Sequence, residues 1–213
     1  MKTSDQTGVL FDLDGVLLDT EGTYAQFWTA VDERYPTGVP DFALSIKGSN
    51  LQEILGSHFP DAEVRQQVWE MLDGFQQRMR FDLFPGAVKL VEALRKAGIP
   101  CCVVTSSDQR KMEGLGVQHP DLLPLFDGIV TGDMVSHAKP HPECFLKGAG
   151  LINRDIGHCI VIEDSLKGLQ AGRAAGARVV GLTTTYGSDQ VRPLCDLMAD
   201  DISQITLEML LSL

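Results

Sequence analysis

Cysteine is scarce in this 213-residue chain, and the five present are odd in number. That is too few for a disulfide framework. Cys101, Cys102 and Cys159 fall in apolar runs that read as buried strands, which suits a reducing compartment, and a cytoplasmic location is the expectation. On a strand, Cys101 and Cys102 would point to opposite faces, so a metal site between them is not expected. No apolar run approaches the roughly 20 residues of a membrane span. The opening MKTSDQTG is polar and has no apolar centre of the signal-peptide kind. Basic residues are also in short supply: 18 Lys and Arg against 29 Asp and Glu, a net charge of −11. The field of such a chain repels nucleic acid and anionic membranes. It leaves room for a small anionic substrate at one locally positive site. Internal repeats and low-complexity linkers are missing.

What is present is a packed core. Hydrophobic residues make up 44% of the chain and mean hydropathy is near zero. Short runs rich in Val and Ile read as buried parallel strands at Val9–Leu13, Ile99–Thr105, Gly128–Val130, Cys159–Ile162 and Val179–Leu182. Helical patterns separate the later ones. Leu90, Val91 and Leu94 form one face after Pro85-Gly86, and helices are expected over Pro140–Ala149 and Leu166–Ala175. This alternation predicts an α/β fold with a Rossmann-like, doubly wound parallel sheet. Between the first strand and Ile99 the gap is too long for one crossover. Residues 17–81 read as helical throughout, most clearly Glu21–Arg34 and Ala62–Arg80. The expected division is therefore a core of residues 1–16 and 82–213 with a helical cap of residues 17–81 inserted after the first strand. Ligands of open α/β sheets bind at the carboxyl ends of the strands, so the insert would overhang the site.

The residues at those strand ends are informative. FDLDGVLLDTE gives Asp12 and Asp14. The Ile99 strand ends in Thr105, Ser106 and Ser107, Lys139 precedes the Pro140 helix, and the Cys159 strand ends in Glu163 and Asp164. A hard divalent cation takes oxygen ligands, and Asp12 and Asp164 can supply them. Lys139 can hold a negative group among acids that would otherwise repel. Thr105 and the amides that follow can bind phosphoryl oxygens. One aspartate can attack phosphorus while a second moves protons. Any one of these acids could equally be a turn former or a helix cap; together and in order they point to a magnesium-dependent phosphate site.

The sequence resembles the haloacid dehalogenase superfamily, and within it the β-phosphoglucomutase-like phosphatases and mutases with a small helical cap. FDLDGVLLDTE matches the first family motif, DxDG(V/T)xxD(T/S). VVTSS and AKPHPE resemble the second and third, and VIEDSLKGLQAGRAAG is very close to the fourth. The resemblance implies that Asp12 is the nucleophile. Asp14 would be the general acid and base, and would lend its carbonyl to Mg²⁺. Thr105 and the Ser106 amide would hold the phosphoryl group, and Lys139 would bridge nucleophile and phosphate. Asp164 would bind the metal, with Glu163 as a further ligand or an acid behind it. Gly15 to Thr20 would be the segment coupling cap closure to acid–base placement. Gly168 and Ala171, Ala174 and Ala175 fit close helix–sheet packing.

Asp14 favours phosphoryl transfer over dehalogenation, which needs no acid there. Phosphonate hydrolysis through a cap lysine is disfavoured, because Lys47 is the only lysine between Lys2 and Lys89. Lys47 is instead a substrate- or phosphate-binding residue of the cap. The mutases of the group carry KGxSR in the cap and a histidine after the flap threonine. Here the stretch is IKGSNLQEIL, with Leu51 at the arginine position and Tyr24 at the histidine position. The expectation is a Mg²⁺-dependent phosphatase of a small phosphorylated metabolite, a sugar or polyol phosphate, acting as a monomer through an aspartyl-phosphate. The alternatives are a sugar phosphomutase, with Arg78 or Arg80 replacing the missing arginine, and a non-catalytic phosphate-binding module.

Overall fold

The computed structural model describes residues 6–213. In chain order its elements are β1 (Gly8–Phe11), α1 (Glu21–Arg34), α2 (Phe42–Ser45), α3 (Leu51–His58), α4 (Ala62–Gln76), α5 (Ala87–Lys96), β2 (Cys101–Val104), α6 (Gln109–Gln118), β3 (Gly128–Val130), α7 (Glu143–Leu151), β4 (Cys159–Glu163), α8 (Leu166–Ala175), β5 (Arg178–Leu182), α9 (Ser188–Val191), β6 (Leu197–Ala199) and α10 (Leu207–Leu211), with short 3₁₀ turns between some of them. The strands form one sheet in the order β3-β2-β1-β4-β5-β6, and every pairing is parallel. The chain winds outward from β1 to β3 on one side and from β4 to β6 on the other. The order therefore reverses between β1 and β4, where Phe11 faces Ile162, and the carboxyl ends there open onto a crevice.

Alternation along the strands divides the core into two layers. Val9, Phe11, Cys101 and Val103 pack with Leu90, Val91 and Leu94 of α5. Leu10, Cys102, Val104 and Val161 pack with Phe145 and Ala149 of α7 and Ala171 of α8. Cys101 and Cys102 thus lie on opposite faces, as the pleat requires. Both are buried free thiols, and burial pushes each up to about 12.

Helices α1 to α4 have an apolar cluster of their own, including Trp28, Val31, Phe42, Ile54, Val68 and Leu72. The two chain segments joining them to the sheet run side by side. Leu18 bridges Leu83 antiparallel, Asp19 N–H donates to Asp82 O (2.8 Å), and Phe84 N–H donates to Leu17 O (2.9 Å).

Four details differ from the sequence reading. Residues 17–81 are not helical throughout: 36–40 form an irregular link between α1 and α2. Pro36 and Pro40 lack an N–H to donate, and Gly38 takes φ +73°. Helix α4 stops at Gln76 rather than Arg80; beyond it the Gln118 side chain takes the Met79 carbonyl and the Phe81 N–H. Helix α7 begins at Glu143, with Pro142 as its cap. Finally, α6, α9, α10 and β6 are additional elements. Gly114 and Gly116 lower the helix propensity of α6, and β6 is a three-residue edge strand.

Candidate active site

Asp12 stands one residue beyond β1. Its N–H continues the ladder to Ile162 O (2.9 Å), which carries the carboxylate to the sheet edge. Behind it lies Lys139, from the loop before α7. One ammonium group donates to Asp12 Oδ1 (2.5 Å), Glu163 Oε1 (2.6 Å) and Val104 O (3.3 Å). Three donors meet three acceptors, so the lysine is saturated, and it is only 2% exposed. Glu163 Oε2 accepts from the amides of Asp164 (2.9 Å) and Ser165 (2.8 Å) and from Ser165 Oγ (3.0 Å). Both oxygens of Glu163 are thus engaged with the protein. Ser165 Oγ in turn caps α8 by accepting from Gly168 N (3.0 Å). A Cβ on Gly168 would come to 1.8 Å from Glu163 Oε1, so only glycine lets α8 start this close to the strand end.

Asp14 is held by different groups. Its Oδ1 accepts from Lys111 Nζ and from the Thr20 hydroxyl, and its Oδ2 from Ser107 Oγ (2.9 Å). Lys111 is 1% exposed. Its placement follows from Asp108, which caps α6 and accepts the Lys111 N–H (3.0 Å). The ammonium also lies over the Tyr24 ring, 4.3 Å from its centre. Asp164 Oδ2 accepts the Thr185 hydroxyl, and Thr184 Oγ1 donates to Gly15 O (2.6 Å). Gly15 takes φ +78°, and a Cβ there would meet Asp164 Oδ2 at 2.1 Å. Glycine thus lets the Asp12–Asp14 turn approach the β4 end.

The electrostatics separate the acids. Burial pushes Asp12 up to about 7, with Lys139 opposing and Glu163 adding to the rise. Burial likewise raises Asp164 well above the usual carboxylate range, reinforced by Glu163 and Asp12. Asp14 is partly buried, but Lys111, Thr20 and Ser107 outweigh the desolvation and hold it below the usual range. Burial would lower Lys111 and Lys139, yet their aspartate partners hold both above the usual lysine value. Asp12 and Asp164 are oxygen donors of the kind a hard divalent cation takes, and burial disfavours the charged form of both.

One pocket joins these groups. Its sheet side consists of Asp12, Asp14, Thr105, Ser106, Ser107, Lys111 and Asp164. Its other wall comes from the helical insert: Glu21, Tyr24, Trp28, Ile46, Lys47, Leu51, Ile54, Leu72 and Gln76. Lys47 is ion-paired with Glu21, and burial lowers its pKa. The insert is fastened across the opening by Ser106 Oγ to Gly48 O (2.7 Å), Lys167 Nζ to Ser49 Oγ (2.6 Å) and Tyr186 OH to Leu44 O (3.0 Å). No arginine is among the described residues that line the pocket. Arg80 is exposed and paired with Asp82, and Arg78 is exposed as well.

Of the residues expected from the sequence, Asp12, Asp14, Thr105, Ser106, Asp164 and Lys47 line this one pocket. Lys139 lies behind Asp12, and Glu163 lies behind Lys139. Lys111 and Thr185 were not expected. Lys111 sits on the buried side of α6 with Met112 and Leu115. A lysine on the apolar face of a helix is the signal that could have marked it.

A model of the haloacid dehalogenase-like hydrolases matches residues 7–176. Hexitol phosphatase A of Escherichia coli is 28% identical over 211 residues, covering 94% of this chain and 93% of that protein. The crystal structure of β-phosphoglucomutase from Clostridium difficile superposes with a TM-score of 0.80 at 25% identity, covering 96% of this chain and 95% of that one. A hydrolase from Pseudomonas syringae gives a TM-score of 0.80 at 26% identity, with 93% and 95% covered. Two longer proteins of Arabidopsis thaliana also match, and the chain spans 21% and 54% of their lengths. The chain belongs to the haloacid dehalogenase-like hydrolase family.

Proposed function

We propose that this family member is a Mg²⁺-dependent phosphatase of small phosphorylated metabolites. The observation that carries the reading is the division between two aspartates two residues apart. Asp12 is held by Lys139 at the β1 end, and Asp14 is held by Lys111, Thr20 and Ser107 in the same pocket. Asp12 and Asp164, with the Asp14 carbonyl, would hold Mg²⁺, which would neutralise the carboxylates facing an anionic phosphoryl group. Glu163, with both oxygens engaged, acts by bracing Lys139 and not as a ligand.

In this reading Asp12 attacks phosphorus, the P–O bond to the leaving group breaks, and the departing alkoxide takes a proton from Asp14, which must first leave Lys111, Thr20 and Ser107 and enter the step as the carboxylic acid. Asp14 then takes a proton from water. The water oxygen attacks the aspartyl-phosphate and releases inorganic phosphate and the Asp12 carboxylate. Thr105 and the Ser106 amide hold phosphoryl oxygens, and Lys139 offsets the charge on Asp12. The helical wall, including Lys47, receives the leaving group as a cap. A sugar or polyol phosphate is the preferred class, supported by the likeness to a hexitol phosphatase. Five free thiols, four of them buried, suit a reducing cytoplasm.

A mutase must hold a bisphosphate at both ends, and a bidentate arginine is the usual partner for the far one. The wall has Leu51 at the expected position, and each of Lys47, Lys111 and Lys139 already has an acidic partner. Hydrolysis is therefore favoured. The experiment is to incubate the protein with Mg²⁺ and β-glucose 1-phosphate plus a trace of glucose 1,6-bisphosphate, alongside a panel of sugar and polyol monophosphates. Phosphate release is expected. Formation of glucose 6-phosphate without comparable phosphate release would overturn the reading.

A further inference from the structure

We propose that His137, His141 and Glu143 form a second metal site, for a zinc-class divalent cation, on the exposed side of the segment that carries Lys139. One ligand atom from each of the three lies within 4.8 Å of the others. The two imidazoles face each other at 4.5 Å with 33° between their planes. Both histidines are exposed, so a cation can reach them.

Unlike the buried Glu163, Glu143 has partners it can exchange: a cation would take the place of the His137 ring proton on Oε2, and Lys147 on Oε1 is 43% exposed and can turn to solvent. Glu143 Oε1 accepts from Ser136 N (3.0 Å) and pairs with Lys147 (2.8 Å). Its Oε2 accepts from His137 N (3.0 Å) and His137 Nδ1–H (2.9 Å). The carboxylate thus holds one histidine by backbone and ring together. His141 accepts the Glu143 N–H at Nδ1 (3.3 Å). Three side chains close in sequence are therefore locked to one helix start, which reduces the ordering a bound ion would require. A cation would replace the proton that His137 shares with Glu143, as metal ligation by imidazole generally demands.

The donor set separates this site from the pocket. Two imidazoles and one carboxylate suit Zn²⁺, Co²⁺, Ni²⁺ or Cu²⁺, whereas Mg²⁺ takes all-oxygen shells. The catalytic pocket offers oxygen donors and no imidazole among its described lining. Between the two histidines the chain carries Lys139, whose ammonium reaches Asp12. A cation bridging residues 137, 141 and 143 would brace the segment that positions that lysine.

The test is calorimetric titration of the untagged full chain with Zn²⁺ in saturating Mg²⁺. One zinc equivalent is expected. Its affinity should fall at least about tenfold in His137→Ala and in His141→Ala, and be retained in Asp164→Asn. Co²⁺ should give visible bands of a nitrogen-ligated ion in wild type and none in the double histidine variant. Zinc should raise the melting temperature of wild type but not of that variant. An unchanged isotherm in the double variant, no zinc binding by wild type, or loss of binding only in Asp164→Asn would overturn the site.

Discussion

The sheet edge and the helical insert meet in one pocket but are built differently. On the sheet side, Asp12, Lys139, Glu163 and Ser165 are buried and bonded to one another across long stretches of sequence, and Lys139 has no donor to spare. The insert has its own apolar cluster and is tied across the opening by a few side-chain hydrogen bonds. The difference teaches where rigidity is needed. Groups that meet the reacting phosphorus must be fixed within a fraction of an ångström. A wall that in the proposed reaction only receives the leaving group needs shape and a weak latch. Changes at the sheet edge should therefore damage turnover or folding, and changes at the insert should damage apparent affinity.

Removing the divalent ion should have the largest effect. EDTA should abolish phosphate release and Mg²⁺ should restore it, while Ca²⁺ should support it poorly because its larger, looser shell spoils in-line geometry. Full activity in chelator would break the assignment of the sheet edge as a cation site. Asp14→Asn should come next, lowering kcat by about 10²–10⁴, the usual reach of a general acid–base group. The loss should shrink for aryl phosphates, whose leaving group needs no proton; equal losses on aryl and alkyl substrates would refute the separate roles of the two aspartates.

Gly168→Ala tests packing behind the site. The added Cβ has no room beside Glu163, so a stability loss of roughly 1–3 kcal/mol is expected from denaturant unfolding, with kcat falling because Lys139 loses its brace. A variant as stable as wild type would mean that α8 can shift freely. The smallest effect belongs to the latch. Lys167→Ala removes the bond to Ser49 and should raise KM about fivefold, the equivalent of roughly 1 kcal/mol, with kcat little changed. A large fall in kcat would show that the insert shares in the chemistry.

The same contrast explains what could be read from the chain. The convergence of Asp12, Asp14 and Asp164 is legible because Asp12 and Asp164 directly follow apolar strands and Asp14 stands three residues beyond β1, and parallel strands bring their ends to one edge. Lys139 is legible as a lone cation before a helix. The bounds of α1 and the cap of α4 at Asp61 follow from local signals. Lys111 and Thr185 are different. Each meets its carboxylate only through the packing of a helix or loop against the sheet; the apolar-face position of Lys111 marks its burial, but no local spacing names its partner. Lys47 reads as a substrate- or phosphate-binding residue and lines the pocket, but its pairing with Glu21, which joins α1 to the turn after α2, is a contact set by the insert's tertiary packing. Nor did the helical pattern register the prolines between α1 and α2 as a break.

In the proposed reaction Asp12 carries the phosphoryl group. The most direct measurement is to mix enzyme and a turned-over monophosphate with Mg²⁺, quench in acid within a turnover, and locate the phosphate by peptide mass analysis. An acyl-phosphate is expected on the peptide containing Asp12 in wild type, and neither label nor turnover in Asp12→Asn. Label on another residue, or sustained phosphate release by Asp12→Asn, would contradict it.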